Sequence, residues 1–197
     1  MTRSQLLASV LLLPVAVFGC DRPTGSSAQV SSAGTPTAPM APSAKNQEDE
    51  PPADIVTGVP DQSEPVVAGA ALRPAKVRPG ESLTLFVQAR VAPTWHIYGA
   101  QGSTGEAIPT TLNLNLPAGV ELDGTWIYPP AKPAAGGPGL VYEGTVTFRQ
   151  KLRVASGAAP GPLEVTCEFG YQVCTPFSCR PPAKLVLKAS AEVVAKD

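Results

Sequence analysis

Cys174 and Cys179 are the residues of this chain whose type and spacing carry chemistry. They belong to the run Tyr171-Gln172-Val173-Cys174-Thr175-Pro176-Phe177-Ser178-Cys179-Arg180-Pro181-Pro182, with four residues between the two cysteines. The other cysteines are Cys20 and Cys167. A close pair in a stiff loop can form a disulfide and can give it up again. Outside the cytoplasm such a pair is either a staple or a redox tool. Pro176, Pro181 and Pro182 restrict the loop and keep the pair close in both redox states. The loop is expected between a strand ending near Val173 and another starting near Lys184. A hairpin that short brings two Cα atoms within disulfide reach, ~4.4–6.8 Å.

Other chemistries fit less well. Cys167, Cys174, Cys179 and the single histidine, His96, could in principle make a three-cysteine, one-histidine zinc site, but they lack the tight paired spacing of structural zinc sites. Met1 and Met40, the only methionines, lie outside the folded region, which argues against a copper carrier. No Ser-His-Asp or paired-carboxylate arrangement stands out for hydrolysis. No metal and no cofactor is expected. His96, between Trp95 and Ile97, reads as structural. Trp95, Tyr98 and Trp126 read as core and edge packing.

The elements that must position the cysteines are strands. Leu83, Leu85, Val87, Ala89 and Val91 alternate with Thr84, Phe86, Gln88 and Arg90. Leu112, Leu114 and Leu116 alternate with asparagines. Val146, Phe148, Leu152 and Val154 share a parity, as do Leu163, Val165, Cys167, Phe169, Tyr171 and Val173; Leu185 and Leu187 follow. This period of two marks half-buried strands. Arg78-Pro79-Gly80, Pro117-Ala118-Gly119 and the stretch from Gly157 to Pro162 supply turns between them. No stretch has a helical period. Seven or eight short strands over residues 66–192 predict an all-β fold, an antiparallel two-sheet sandwich. Cys167 has the parity of the apolar face and is expected to be a buried, inert thiol.

The N-terminus predicts export. Arg3 precedes an apolar run from Leu6 to Phe18 that is too short to span a bilayer, which needs ~20 residues. It fits the core of a secretory signal peptide over residues 1–19. The run closes Val17-Phe18-Gly19-Cys20, which resembles a bacterial lipobox, so Cys20 is expected to carry lipid. Asp21 behind it favours the inner membrane, by resemblance to proteobacterial sorting. Residues 20–65 are rich in Ser, Thr, Ala, Pro, Gly and acids, a composition that buries too little apolar surface to offset chain entropy, and they read as a disordered tether. The chain carries a formal net charge of −1, and its near-neutral folded region offers no patch for nucleic acid. No segment after residue 20 reads as membrane-spanning, and a monomer is expected.

The order of features resembles the N-terminal periplasmic domain of the thiol:disulfide interchange protein DsbD. The resemblance rests on Val77-Arg78-Pro79-Gly80, Thr94-Trp95-His96-Ile97-Tyr98-Gly99, Ile108-Pro109-Thr110, Leu116-Pro117-Ala118-Gly119, Tyr128-Pro129, Val141-Tyr142-Glu143-Gly144, and the Tyr-Gln-x-Cys segment that closes on Cys179 and Pro181-Pro182. It covers nearly all of residues 66–190. It implies an immunoglobulin-like sandwich, here as a stand-alone lipoprotein on the periplasmic side of a bacterial membrane. It also implies electron relay, from a membrane electron-transfer protein through thioredoxin-like proteins to periplasmic partners. Cys174 and Cys179 match the reactive pair, with Cys179 as the exchanging sulfur and Cys174 as the resolving one. Arg180 could lower the Cys179 pKa, or be a solvated surface charge. The family's cap loop corresponds to Tyr128–Leu140, where Tyr128 is the only aromatic and no acid is present. The activity so implied is that of a protein-disulfide reductase or thiol-disulfide exchange component. The alternative is a non-catalytic lipoprotein, a binding or scaffolding sandwich with a structural disulfide.

Overall fold

The period-two alternation does become strand, and its two parities become two faces. The structure, a computed structural model, describes residues 50–102, 105, 107–135 and 139–195. The expected signal peptide, Cys20 and the tether up to residue 49 lie outside these. Among the described residues every regular element is a strand. In chain order they are β1 (Val66–Arg73), β2 (Lys76–Val77), β3 (Ser82–Val91), β4 (His96–Tyr98), β5 (Thr111–Asn115), β6 (Val120–Leu122), β7 (Lys132–Pro133), β8 (Leu140–Tyr142), β9 (Thr145–Val154), β10 (Gly161–Tyr171), β11 (Val173–Cys174) and β12 (Ala183–Val193).

They form three four-stranded sheets, ordered β1-β3-β9-β6, β2-β12-β10-β5 and β11-β4-β8-β7. Pairing is antiparallel except between β2 and β12, which run parallel. The first two sheets make the immunoglobulin-like sandwich, and the third is a small sheet carrying the cysteine loop. The sandwich core takes Leu83, Leu85, Val87, Ala89 and Val91 from β3 and Val146, Phe148, Leu152 and Val154 from β9. From the other sheet come Leu163, Val165, Cys167, Phe169 and Tyr171 of β10 and Leu187 of β12, all buried. Each fully buried aliphatic or aromatic side chain contributes ~1.5–3 kcal/mol. One polar residue shares this parity: Gln150, buried in β9, satisfies its amide by donating to the carbonyls of Gly124 and Lys151 at 3.1 and 2.9 Å. The Arg78-Pro79-Gly80-Glu81 turn closes with a 3.0 Å bond from Glu81 N to Arg78 O. Gly80 sits there at φ +90°, a conformation that a type II turn gives to glycine.

Two departures from expectation involve the outer face of β3. Phe86 has the parity of the polar side, yet it is fully buried. The cause lies in the stretch up to residue 65 that composition assigns to the tether. Its last part, from Glu50, lies on the sheet: Ile55 and Val56 are buried against Phe86. Gly69 permits this, because a Cβ there would run into the Ile55 carbonyl oxygen. Ala92 N donates to Pro65 O at 2.8 Å and Arg90 Nη1 to Gly58 O at 3.3 Å. Two buried apolar residues in a Pro- and acid-rich stretch thus extend the folded region past the point where strand alternation stops.

Candidate functional site: the cysteine loop

The site forms where β10 leaves the sandwich. Through Tyr171 the strand is flanked by β12 on one side and, from Thr166 to Gly170, by β5 on the other. After Gln172 the chain changes sheet and continues as β11, paired with β4 so that Val173 faces Ile97 and Cys174 faces His96. The chain then turns back through Thr175–Ser178, and Cys179 bridges to Cys174. The turn is held locally. Thr175 N donates to Ser178 O at 2.8 Å, while Thr175 Oγ1 accepts from Ser178 N at 3.1 Å and Phe177 N at 3.3 Å. Threonine capping its own turn in this way is what allows so short a reversal.

Cys174 and Cys179 are joined as a disulfide with Cα atoms 4.0 Å apart. Their environments differ sharply. Cys174 is 1% exposed, whereas Cys179 is exposed. Of the two residues, Cys179 is the one an incoming molecule can approach. Phe177, at the tip of the loop, is 95% exposed.

Around this loop the small sheet builds a wall. The expected cap stretch, Tyr128–Leu140, follows Ile127, whose backbone exchanges bonds of 2.8 and 3.0 Å with Arg149 of β9. The Tyr128 ring turns inward and meets Phe148 edge-on at 6.3 Å. Its half-buried ring therefore belongs to the packing of the sandwich. Further on, β7 pairs with β8 to make a hairpin, tied by Ala134 N to Gly139 O at 3.0 Å. Ala135 of this hairpin and Pro176 of the cysteine loop line one groove of about 410 Å³, together with Trp95, His96 and Glu143. The stretch expected to form the cap thus shares a groove with the cysteine loop.

His96 lies half-buried in that groove, edge-on to Tyr98 at 5.6 Å. Burial pushes its pKa down, and the nearby Glu143 carboxylate works in the opposite direction. Cys167 sits elsewhere, between Leu187 of β12 and Leu114 of β5, 1% exposed. Burial pushes its thiol up to about 12. With Cys167 in the core and the other two sulfurs bonded to each other, the residues weighed for zinc do not converge. Among the described residues no group of three His, Cys, Asp or Glu side chains is placed to hold a metal.

Sequence reasoning missed the surroundings of Arg180. Its guanidinium lies 4.7 Å from the centre of the Trp95 ring, a cation–π contact of ~0.5–1 kcal/mol when exposed. It also donates to the carbonyls of Gln62 and Ser63. So it is neither a free surface charge nor turned over to the cysteine alone. Trp95 in turn donates from Nε1 to Gln62 Oε1 at 2.9 Å. Trp95 is aimed by the turn before it: Trp95 N donates to Ala92 O at 3.1 Å, and Thr94 takes φ +71°. A β-branched residue at positive φ stores ~1–3 kcal/mol, and such strain clusters at functional sites. Composition placed the Asp61-Gln62-Ser63-Glu64 run in the tether, and nothing in it signals where it docks.

The sequence model of a family described as "Thiol:disulfide interchange protein DsbD, N-terminal" matches residues 62–191. No curated protein matches the chain. Among solved structures, the N-terminal periplasmic domain of ScsB from Proteus mirabilis is 14% identical with a TM-score of 0.45, over 68% of this chain and 49% of that one. The chain therefore spans about half the length of that relative. The reduced N-terminal domain of DsbD from Neisseria meningitidis is 18% identical with a TM-score of 0.36, over 59% of this chain and 80% of that one. A family 123 glycoside hydrolase from Clostridium perfringens reaches the same TM-score at 10% identity, over 66% of this chain and 27% of that one. Structural likeness of this degree does not discriminate between activities.

Proposed function

Because the chain belongs to the family of N-terminal domains of the thiol:disulfide interchange protein DsbD, we propose that it is a thiol:disulfide interchange module that relays reducing equivalents to exported proteins. The observation that carries this is the asymmetry of its disulfide: Cys174 is buried and Cys179 is exposed on one short turn. A structural staple has no need of one accessible sulfur. An exchange site has need of one sulfur open to attack and a second one shielded beside it.

In the reduced domain the Cys179 thiolate attacks one sulfur of a partner disulfide. The mixed disulfide forms as the partner's own bond breaks, and the partner's second sulfur leaves as a thiolate that takes a proton from water. The Cys174 thiol then gives up its proton, and its sulfur attacks Cys179 Sγ. The domain's disulfide forms, the mixed disulfide breaks, and the partner's remaining sulfur leaves and is protonated. Two electrons have passed to the partner, which ends as a dithiol. A thioredoxin-like donor, itself recharged by a membrane electron-transfer protein, reverses the sequence and restores the reduced domain.

This chemistry fits a periplasmic protein held at the membrane. The apolar run ending at Cys20 supports a lipid anchor there, with the inner membrane as its site, and Cys20→Ala should move the protein out of the membrane fraction. The exchange itself is tested by incubating the full-length Cys174→Ser variant with oxidised exported proteins of the thioredoxin fold. Without its resolving sulfur the variant should accumulate a mixed disulfide through Cys179, visible on a non-reducing gel. If none forms, and the wild-type disulfide also resists a reduced thioredoxin, the pair is a staple.

A further inference from the structure

We infer that Arg180 is a positioning residue for exchange at Cys179, and that the Asp61–Glu64 turn preceding β1 is a structural part of the site. The inference rests on the exchange activity proposed above. It starts from what holds the residue next to the exposed sulfur.

Two pieces of chain, far apart in sequence, meet on the Arg180 side chain, and a third, close in sequence, holds its backbone. The first is the turn at Asp61. Its carboxylate accepts from Ser63 N at 2.7 Å, Ser63 Oγ at 2.6 Å and Glu64 N at 2.8 Å, and Asp61 N donates to Glu64 O at 3.0 Å. These bonds hold the Asp61 carboxyl below the usual carboxylate range, with the charge of Arg180 adding to the effect. The turn so fixed offers the carbonyls of Gln62 and Ser63 to one guanidinium, and Ser63 O accepts from Nη1 at 2.8 Å. The second piece is Trp95, whose ring lies 4.7 Å from Arg180 Cζ and whose Nε1 is bonded to Gln62. The third is the backbone around Arg180 itself. Arg180 N donates to Val173 O at 2.9 Å, and Arg180 O accepts from Gln172 Nε2 at 3.3 Å.

Arg180 is therefore gripped by its side chain and by both ends of its peptide unit. Cys179 is the residue before it, and among the described residues the turn on the other side of Cys179 is hydrogen-bonded within itself, through Thr175 and Ser178. The disulfide fixes Cys179 towards Cys174, and the chain that carries it onward is fixed from the Arg180 side. A planar, two-pronged guanidinium that also stacks on an indole makes contacts that a lysine ammonium does not reproduce. The turn that receives it lies before the first strand, so the last residues ahead of the sandwich reach the neighbour of the exchanging cysteine.

The test compares the full-length wild type with Arg180→Lys and Arg180→Met. Each oxidised protein is reduced once by a reduced bacterial thioredoxin and once by dithiothreitol. A protein reductant must align its sulfur across a surface, whereas a small dithiol approaches the exposed sulfur from many directions. Both variants should lose roughly tenfold or more in the thioredoxin rate, because a misplaced reacting group of about 1 Å costs up to ~10²-fold. Their dithiothreitol rates should stay at the wild-type value. Trp95→Leu should reproduce the loss, and Arg180→Met combined with Trp95→Leu should lose little more than either alone, since both changes undo one clamp. A Lys variant that restores the thioredoxin rate would assign Arg180 an electrostatic role and overturn the inference. Equal losses with both reductants would make the contact merely structural, and an unchanged thioredoxin rate in both variants would dismiss it. If the wild type itself is not reduced by thioredoxin, the exchange function falls and takes this inference with it.

Discussion

Cys167 and Cys174 lie on one run of chain, yet the two sulfurs occupy opposite chemical worlds. Cys167 is in the middle of β10, where neighbouring strands on both sides complete the backbone bonding and Leu114 and Leu187 are its register partners. Cys174 lies past the point where β10 leaves the sandwich for the small sheet, and it is tied to an exposed Cys179. Both Cys167 and Cys174 are 1% exposed. The difference between them is what comes next to them. In the sandwich a thiol meets only packed hydrocarbon, which disfavours its thiolate. At the loop a buried sulfur is bonded to one that solvent and partners can reach. In the proposed exchange, burial alone therefore does not make a cysteine inert, because a covalent neighbour at the surface links the buried sulfur to a partner.

The contrast can be broken most directly by removing a sulfur from each region. Cys179→Ser should abolish disulfide exchange with a reduced thioredoxin altogether, while Cys167→Ala should exchange at the wild-type rate. Loss of exchange in Cys167→Ala with its fold intact, checked by circular dichroism, would erase the distinction between the two regions.

A finer cut is pH. The Cys167 thiol has an ordinary value of 9.0 and is raised by burial to about 12 in the folded protein. Below pH 9 the group is protonated in both folded and unfolded chains, and it favours neither. Above pH 9 the unfolded chain releases the proton while the folded one retains it, so stability falls with rising pH until the folded value near 12 is passed. Denaturant titrations between pH 9 and 12 should show this decline in the wild type. Cys167→Ala should flatten it, by an amount that Cys174 and Cys179 cannot mimic while they remain a disulfide. An equally steep decline in both proteins would place the alkaline sensitivity elsewhere.

The smallest effect expected is on neutral-pH stability. Cys167→Ser puts a hydroxyl among apolar side chains and should cost ~1–3 kcal/mol, read as a lower denaturant midpoint at unchanged slope. A midpoint equal to wild type would mean that the hydroxyl finds a partner, and that the Cys167 surroundings are less apolar than the packing of β5, β10 and β12 implies.

Much of the sandwich was legible because each long strand has one face in the core. The parity of Leu83 to Val91, of Val146 to Val154 and of Leu163 to Val173 located the buried side chains, Cys167 among them. The small sheet was not legible. Strands of two or three residues, such as β7, β8 and β11, are too short to express a period. Phe86 was misplaced on the polar face for a related reason: its cover, Ile55 and Val56, comes from outside the alternating region. Tyr128 was expected at the cap over the cysteines, and its ring instead packs on Phe148.

The sequence by itself determined the strand-forming segments, the core parity and the cysteine pair, because those depend on residues near one another along the chain. Proline and threonine between Cys174 and Cys179 already dictate a tight turn. Only the tertiary structure decided which sulfur is open, because exposure depends on the walls that β4, β8 and the β7 hairpin raise around the loop. Only it decided what Arg180 does, since the carbonyls of Gln62 and Ser63 and the ring of Trp95 reach it from distant parts of the chain. Backbone carbonyls carry no sequence signature, and every residue has one. Contacts made to them become visible only when the chain has folded.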